Sequence, residues 1–109
     1  MPRPMTPALL ALVAERFRVL GEPARLRLLN ELREGPASVG TLVTRTGMSQ
    51  ANVSKHLQVL HAAGFVDRER RGAFIEYAIA AADVFTLCEV VCGQIDDDMA
   101  RRREALGAG

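Results

Sequence analysis

The stretch from Ser49 to Leu60, SQANVSKHLQVL, has side chains suited to contacting the bases of a nucleic acid. On an α-helix, Val53, Leu57 and Leu60 form one apolar stripe, and His56 lies at its edge. The opposite face is small and polar and has a single, positive charge. Amide side chains can bond adenine, lysine can reach guanine or a phosphate, and an alanine methyl can contact thymine.

Cys88 and Cys92 are the only cysteines of the chain. On a helix they lie one turn apart on the same side, so two thiolates could share a soft metal or metalloid. Two sulfurs do not complete a tetrahedral site, and a third ligand would have to come from a partner subunit or from solvent. The alternative is that both are small apolar residues that only pack.

Arg68, Arg70 and Arg71 lie in FVDRERRGAFIEYAI, where the apolar period changes from that of a helix to that of a strand. The break at Arg71-Gly72 predicts a β-hairpin with Arg70 and Arg71 near its tip. These arginines either form a charged edge that prevents strand pairing or hold phosphates.

The helices that must position these residues have clear start and stop signals. Thr6 with a following proline predicts a first helix ending at Leu20, and Pro23 predicts the start of a second. The shared face of the second helix is expected to hold Leu26, Leu29 and Leu32. Ser38 is expected to cap a third helix that Gly47 ends, and Ser49 to cap the fourth. A tight turn of about four residues between these two helices indicates a helix-turn-helix.

A long amphipathic helix is predicted over 82–106, the last part of the chain. Its apolar stripe comprises Val84, Leu87, Cys88, Val91, Cys92, Ile95 and Met99. The fold class is therefore mainly α with a β-hairpin, a winged helix-turn-helix in the order α-α-α-α-β-β-α, in one domain over 1–109.

Composition limits the class of protein. With 109 residues, 49% apolar and 25% charged, the chain is expected to be one globular domain in the cytoplasm, without a secretory signal or a membrane span. The net charge of +1 does not by itself indicate nucleic acid, because the acidic run at 96–98 is balanced by the arginines at 101–103. No catalytic triad, phosphate loop or carboxylate pair is visible, so an enzyme is the weakest reading.

The segment FRVLGEPARLRLLNELREG and the one from Ser38 to Ile79 resemble the ArsR/SmtB family of bacterial repressors. The Pro-Ala-Arg-Leu start of the second helix and the Ser-x-x-x-x-Ser-x-His-Leu pattern of the fourth carry this resemblance. It implies a homodimer, formed by helices 6–20 and 82–106, that binds palindromic double-stranded operator DNA. The family's cysteine pair of the third helix and its Asp and His ligands of the last helix are absent, and only the thiol pair remains.

The predicted DNA contacts follow from the place of the second helix of such a motif in the major groove and from the wing beside it. They are Ser49, Gln50, Ala51, Asn52, Ser54, Lys55, Arg68, Arg70 and Arg71. His56 is expected to be a packed, hydrogen-bonded core residue, and His61 to lie at the surface. No cofactor is expected to be required.

We predict a repressor that is released by a thiol-directed signal at Cys88 and Cys92. The signal would be a soft metal or metalloid (arsenite, cadmium or mercury), an oxidant or a persulfide. One alternative is a repressor of the same kind without thiol sensing. A different class of protein, a winged helix that binds another protein, would be favoured if neutralising Lys55, Arg70 and Arg71 left function intact.

Overall fold

The computed structural model describes residues 3–107 and confirms the predicted fold class, with one added strand. The elements are α1 (Pro7–Leu20), α2 (Pro23–Leu32), β1 (Ala37–Ser38), α3 (Val39–Thr46), α4 (Gln50–Ala62), β2 (Val66–Arg71), β3 (Phe74–Ile79) and α5 (Asp83–Ala105). Within 3–107, none of the helices has the length and apolar character needed to cross a bilayer.

The predicted hydroxyl caps begin α1, α3 and α4. The side chain of Thr6 accepts from Leu9 N at 3.2 Å and begins α1. Ser38 Oγ accepts from Thr41 N at 3.2 Å to begin α3. Each hydroxyl satisfies one of the N–H groups that the first helical turn leaves unpaired.

The turn between α3 and α4 has three residues, close to the expected four. Gly47 has a φ of 73°, in the left-handed region that favours glycine, and its N–H reaches Val43 O. The buried Thr46 hydroxyl donates to Leu42 O at 2.7 Å and accepts from Met48 N at 3.2 Å. The turn therefore has a fixed geometry, which fixes the angle of α4.

The core lies between α2, α3, α4 and the sheet, and it contains the predicted stripe of α4. Two expectations were wrong in detail. Leu26 is exposed, and Leu28 is buried instead beside Leu29 and Leu32, because the buried side of α2 is centred one residue further on. His61 is half-buried rather than at the surface, since the end of α4 packs near the start of the hairpin.

The sheet has three antiparallel strands in the order β1-β3-β2. The predicted hairpin of β2 and β3 is confirmed, with a turn at Gly72 and Ala73. This hairpin is the wing of the fold. The short β1 was not predicted; in it, Ala37 pairs with Tyr77. This pairing ties the loop before α3 to the base of the wing.

Helix α5 has 23 residues, of which Val84 alone is buried among the described ones. The large apolar residues of its stripe, from Leu87 to Met99, are between 44% and 58% exposed. Near its start, the guanidinium of Arg33 lies 4.6 Å from the centre of the Phe85 ring. The first turns of α5 are thus anchored on the domain, and its apolar stripe remains accessible.

Candidate nucleic-acid interface and cysteine groove

The first two turns of α4 form an exposed polar surface. Ser49, Gln50, Ala51, Asn52 and Lys55 are exposed, and Ser54 is half-buried. The apolar stripe of the same helix is inaccessible, with Val53, Leu57 and Leu60 at 0% exposure. The structure thus brings these six predicted contact residues together on the outer side of α4.

Ser49 begins this surface as the N-cap of α4. Its Oγ accepts from Asn52 N at 3.1 Å. The remaining N–H groups of the first turn point outward along the helix axis, and a helix N-terminus attracts anions. Its hydroxyl can cap the helix and still lie close to a phosphate.

The three wing arginines lie on two different faces of the hairpin. Arg68 is opposite the buried Tyr77, and Arg70 is opposite Ile75. Residues directly opposite in an antiparallel pair lie on the same face. Arg68 and Arg70 are therefore on the inner face, the one that packs on the helices.

Arg71 is on the outer face of the wing with the acidic residues of the hairpin. Its Nε lies 3.0 Å from Glu76 Oε1, and its Nη2 lies 3.9 Å from Glu69 Oε2. Asp67, opposite Ala78, shares this face. Strand alternation thus gives the inner face two positive charges and the outer face three carboxylates with one arginine.

The inner face of the wing tip lies beside the start of α4. Gln50 shares an open cleft with residues of α3 and of the hairpin: Ser38, Val39, Gly40, Val43, Ala73, Phe74 and Ile75. The cleft therefore joins the start of α4, through Gln50, to the tip of the wing, through Phe74 and Ile75. The exposed side chains of α4 and the arginines on the inner face of the wing supply amides, hydroxyls and cations, which are the groups that contact bases and phosphates.

His56 is confirmed as a packed, hydrogen-bonded residue, with 9% exposure. Its Nδ1 lies 3.4 Å from Nη1 of Arg25. Burial lowers the pKa of His56, and the neighbouring charges of Arg25 and Lys55 lower it further, against a smaller opposite effect of Glu22. The imidazole is therefore held in its neutral form.

Cys88 and Cys92 line one groove between α5 and the end of α1. Its volume is about 390 Å³, and its other walls are Phe17, Leu20, Gly21, Leu26, Leu87 and Val91. Cys88 is half-buried and Cys92 is exposed, and both are free thiols. The structure thus places the two predicted sensor residues in the same apolar groove.

The groove does not supply a complete metal site from one protomer. Within residues 3–107, no group of three or more His, Cys, Asp or Glu side chains is arranged to hold a metal ion. Two sulfurs leave a tetrahedral ion short of ligands.

Sequence reasoning missed two residues of this region. Thr46 fixes the turn before α4, and Arg25 reaches both His56 and, through Nε at 2.7 Å, the carbonyl oxygen of Val19. The threonine that precedes Gly47 was a local signal for the first. No local pattern indicates the role of Arg25, because its partner His56 is 31 positions away.

The fold and this surface define a class, the winged helix-turn-helix transcriptional regulators, which bind DNA and are not enzymes. Residues 22–68 match the model of the family described as "Bacterial regulatory protein, arsR family". The chain belongs to this arsR family.

Relatives from mycobacteria match most of the chain. It is 39% identical over 102 residues to the HTH-type transcriptional regulator Rv0081 of Mycobacterium tuberculosis, covering 90% of each. The crystal structure of Rv0081 superposes with a TM-score of 0.78 at 37% identity, covering 89% of this chain and 98% of that one.

Two further relatives have descriptions that bear on assembly and activity. One is Mb0332 of Mycobacterium bovis, a homodimeric winged helix-turn-helix DNA-binding domain described as a possible ArsR-family regulator. It matches with a TM-score of 0.74 and 34% identity, covering 86% of this chain and 87% of that one. The transcriptional repressor SmtB of M. tuberculosis is 37% identical over 79 residues, which is 72% of this chain and 58% of SmtB.

Proposed function

We propose that this regulator is a homodimeric repressor that binds an inverted-repeat operator and releases it when a signal reaches its thiol pair. The observation that carries DNA binding is the exposed polar face of α4, whose first residue shares a cleft with the tip of the wing. The repressor name of SmtB and the homodimeric state of Mb0332 support repression and the dimer. A protein that acts on operators works where the chromosome is, in the cytoplasm.

In this proposal α4 is the recognition helix. Gln50 and Asn52 bond adenine edges, Lys55 reaches a guanine or a phosphate, and the Ala51 methyl contacts thymine. Ser49 and Ser54 bond the phosphates on either side of the groove. All six project from a helix whose opposite side is fixed in the core.

The wing adds contacts to the DNA backbone or to the minor groove. Arg68 and Arg70 are suited to this role because their face has no acidic residue. Arg71 can contribute only by exchanging its carboxylate partners for a phosphate.

The dimer would form through α1 and α5. Both helices present large apolar side chains to solvent in the single chain: Leu12 and Phe17 are exposed on α1, and the stripe is exposed on α5. Covering apolar surface of this kind is the main favourable contribution to stable association. Two protomers related by a two-fold axis match an operator with two-fold symmetry.

The test is operator mapping followed by binding at several salt concentrations. Footprinting of bound genomic DNA should give an inverted repeat with half-sites one or two helical turns apart. The log of the affinity should fall linearly with the log of the salt concentration, with a slope that corresponds to about 6 to 10 phosphates. A monomer at micromolar concentration, or affinity independent of salt, would contradict the proposal.

For the signal, we propose that the thiols of Cys88 and Cys92 are its point of entry. Both face one groove between the two helices assigned to the dimer, so new bonds there would alter how the DNA-binding surfaces are spaced. A soft ion that accepts two thiolates, such as mercury, is best matched by two sulfurs. Tenfold release from DNA requires about 1.4 kcal/mol of coupling, within the usual range for linked sites.

Operator binding by wild type, Cys88→Ser, Cys92→Ser and the double variant tests this second part. Each protein is titrated with arsenite, cadmium, mercury, peroxide and persulfide. Loss of the response with retained DNA binding would establish the thiols as the switch. If the double variant binds DNA and still responds to the same compound, the cysteines only pack.

A further inference from the structure

One guanidinium joins the end of α1 to the middle of α4. Arg25, in the first turn of α2, donates from Nε to the carbonyl oxygen of Val19 at 2.7 Å. Its Nη1 lies 3.4 Å from Nδ1 of His56, at the long end of the hydrogen-bond range. Both partners are buried.

The direction of both bonds follows from the chemistry of the groups. A guanidinium has only donors, so Nδ1 of His56 must be the acceptor and the ring proton must be on Nε2. Val19 O is one of the last four carbonyls of α1, which no N–H of the helix can reach. A positive charge at a helix C-terminus is also favourable.

This contact matters for the position of α1 because few apolar side chains of this helix are buried in the domain. Val19 is the buried residue of α1, whose other apolar side chains are half-buried or exposed. His56 is one turn beyond Asn52, on the side of α4 that faces the core. A rotation of α4 would therefore displace His56 and the base-contacting side chains together.

We propose that Arg25 is a positioning residue that fixes the orientation of the recognition helix α4 relative to the dimerisation helix α1. This inference rests on the proposed function, because it concerns how the two DNA-binding surfaces of a dimer are aligned. Half-sites lie about 34 Å apart per helical turn, so the two copies of α4 must be held at a fixed spacing and tilt. Arg25 supplies part of that alignment without contacting DNA.

The experiment is a double-mutant cycle on operator affinity with Arg25→Gln and His56→Leu. Each single change should weaken operator binding about tenfold, as expected for loss of a hydrogen bond to a charged group, and the double change should cost little more than either. His56→Asn, which keeps an acceptor near the position of Nδ1, should retain most of the affinity. Circular dichroism and sedimentation first establish that each variant is folded and dimeric.

Two readouts separate positioning from other roles. The salt dependence of operator binding should have the same slope in Arg25→Gln as in wild type, since no phosphate contact is removed. Nitrogen-15 shifts of the His56 imidazole should report an unprotonated Nδ1 in wild type and a changed tautomer balance in Arg25→Gln. Arg27→Gln, which removes the same charge from an exposed position of α2, is the control and should bind normally.

The outcomes are distinct. If folded, dimeric Arg25→Gln binds the operator as wild type does, or if the effects of the two single changes add, the positioning role is wrong. If wild type itself binds no operator, the proposed function fails. Should Arg25→Gln not fold, Arg25→Lys replaces it in the cycle; this variant keeps the charge but can reach only one acceptor, so its affinity should lie below that of wild type.

Discussion

Helices α4 and α5 are both amphipathic, but only α4 buries its apolar face within the single chain. In α4 the apolar stripe is covered completely, with Leu57 and Leu60 at 0% exposure, and the polar side is accessible. In α5 the polar side is accessible too, and the apolar stripe is also exposed, with Val91 and Ile95 each at 53%. The same kind of sequence pattern therefore leads to two different surfaces.

The exposed surface of each helix indicates the kind of partner that the helix can bind. An uncovered row of amides and hydroxyls beside cations suits a polar, charged partner such as DNA. An uncovered row of large aliphatic side chains suits another apolar surface, and a second copy of the chain supplies one. Changes on the two helices should therefore alter different measurable properties.

The largest effect is expected from a charge on the stripe of α5. Ile95→Asp places a carboxylate where the dimer would bury an aliphatic side chain, so sedimentation at micromolar concentration should show a monomer. Without the second half-site contact, operator affinity should fall by about 10²- to 10⁴-fold.

The matched control is Thr86→Asp, which adds the same charge on the opposite side of α5. It should leave both the dimer and operator affinity unchanged. A dimer of normal strength in Ile95→Asp would show that the exposed stripe is not the subunit interface.

The next effect concerns the covered stripe of α4. Leu57→Ala should lower the free energy of unfolding by about 2 to 5 kcal/mol, because it removes buried methyl groups and leaves a cavity. Urea unfolding at a fixed protein concentration measures this loss. Gln58→Ala, at the exposed neighbouring position, should change stability by no more than about 0.5 kcal/mol; equal effects at both positions would mean that the assigned faces are wrong.

Local signals account for most of what the sequence predicted. The caps Thr6, Ser38 and Ser49 and the left-handed Gly47 each act within four residues, and the structure confirms all four. The change of period after Gly64 was enough to predict the hairpin. Interactions of this range are encoded in adjacent residues and need no knowledge of the fold.

The features that the sequence did not predict all depend on residues that are distant along the chain. Strand β1 has two residues, too few for any period, and exists because β3 lies beside it. Whether Leu26 or Leu28 is buried depends on how α2 is rotated against α3 and α4. The contact of Arg25 with His56 joins residues that only the fold brings together.

A smaller effect is expected on the polar side of α4. Asn52→Ala or Lys55→Ala should cost about 1 to 3 kcal/mol of operator affinity if these side chains contact bases. Melting temperatures should barely change, since both side chains are exposed. Competition between operator and random DNA measures the specific part, and Gln58→Ala, two turns from the start of the helix, provides a comparison.

The smallest effect distinguishes the two faces of the wing. Arg70→Ala should weaken binding to all sequences and reduce the salt slope by about 1, as expected for loss of a phosphate contact. Arg71→Ala should weaken all sequences alike but by less, because Glu76 already holds its guanidinium at 3.0 Å. An exposed ion pair of this kind contributes only about 0 to 1 kcal/mol, so it reduces a phosphate contact without abolishing it.

Glu76→Gln tests that explanation directly, because it removes the nearer carboxylate while keeping a side chain of the same size. If the ion pair restrains Arg71, this change should strengthen binding to every DNA sequence by less than about tenfold, and the gain should vanish when Arg71→Ala is added. The gain should also be greater at low salt, where attraction to phosphates is strongest. Equal losses for Arg70→Ala and Arg71→Ala, with no change in Glu76→Gln, would mean that the outer face of the wing meets DNA as closely as the inner one. The charge separation between the strand faces would then have no part in how the wing contacts the operator.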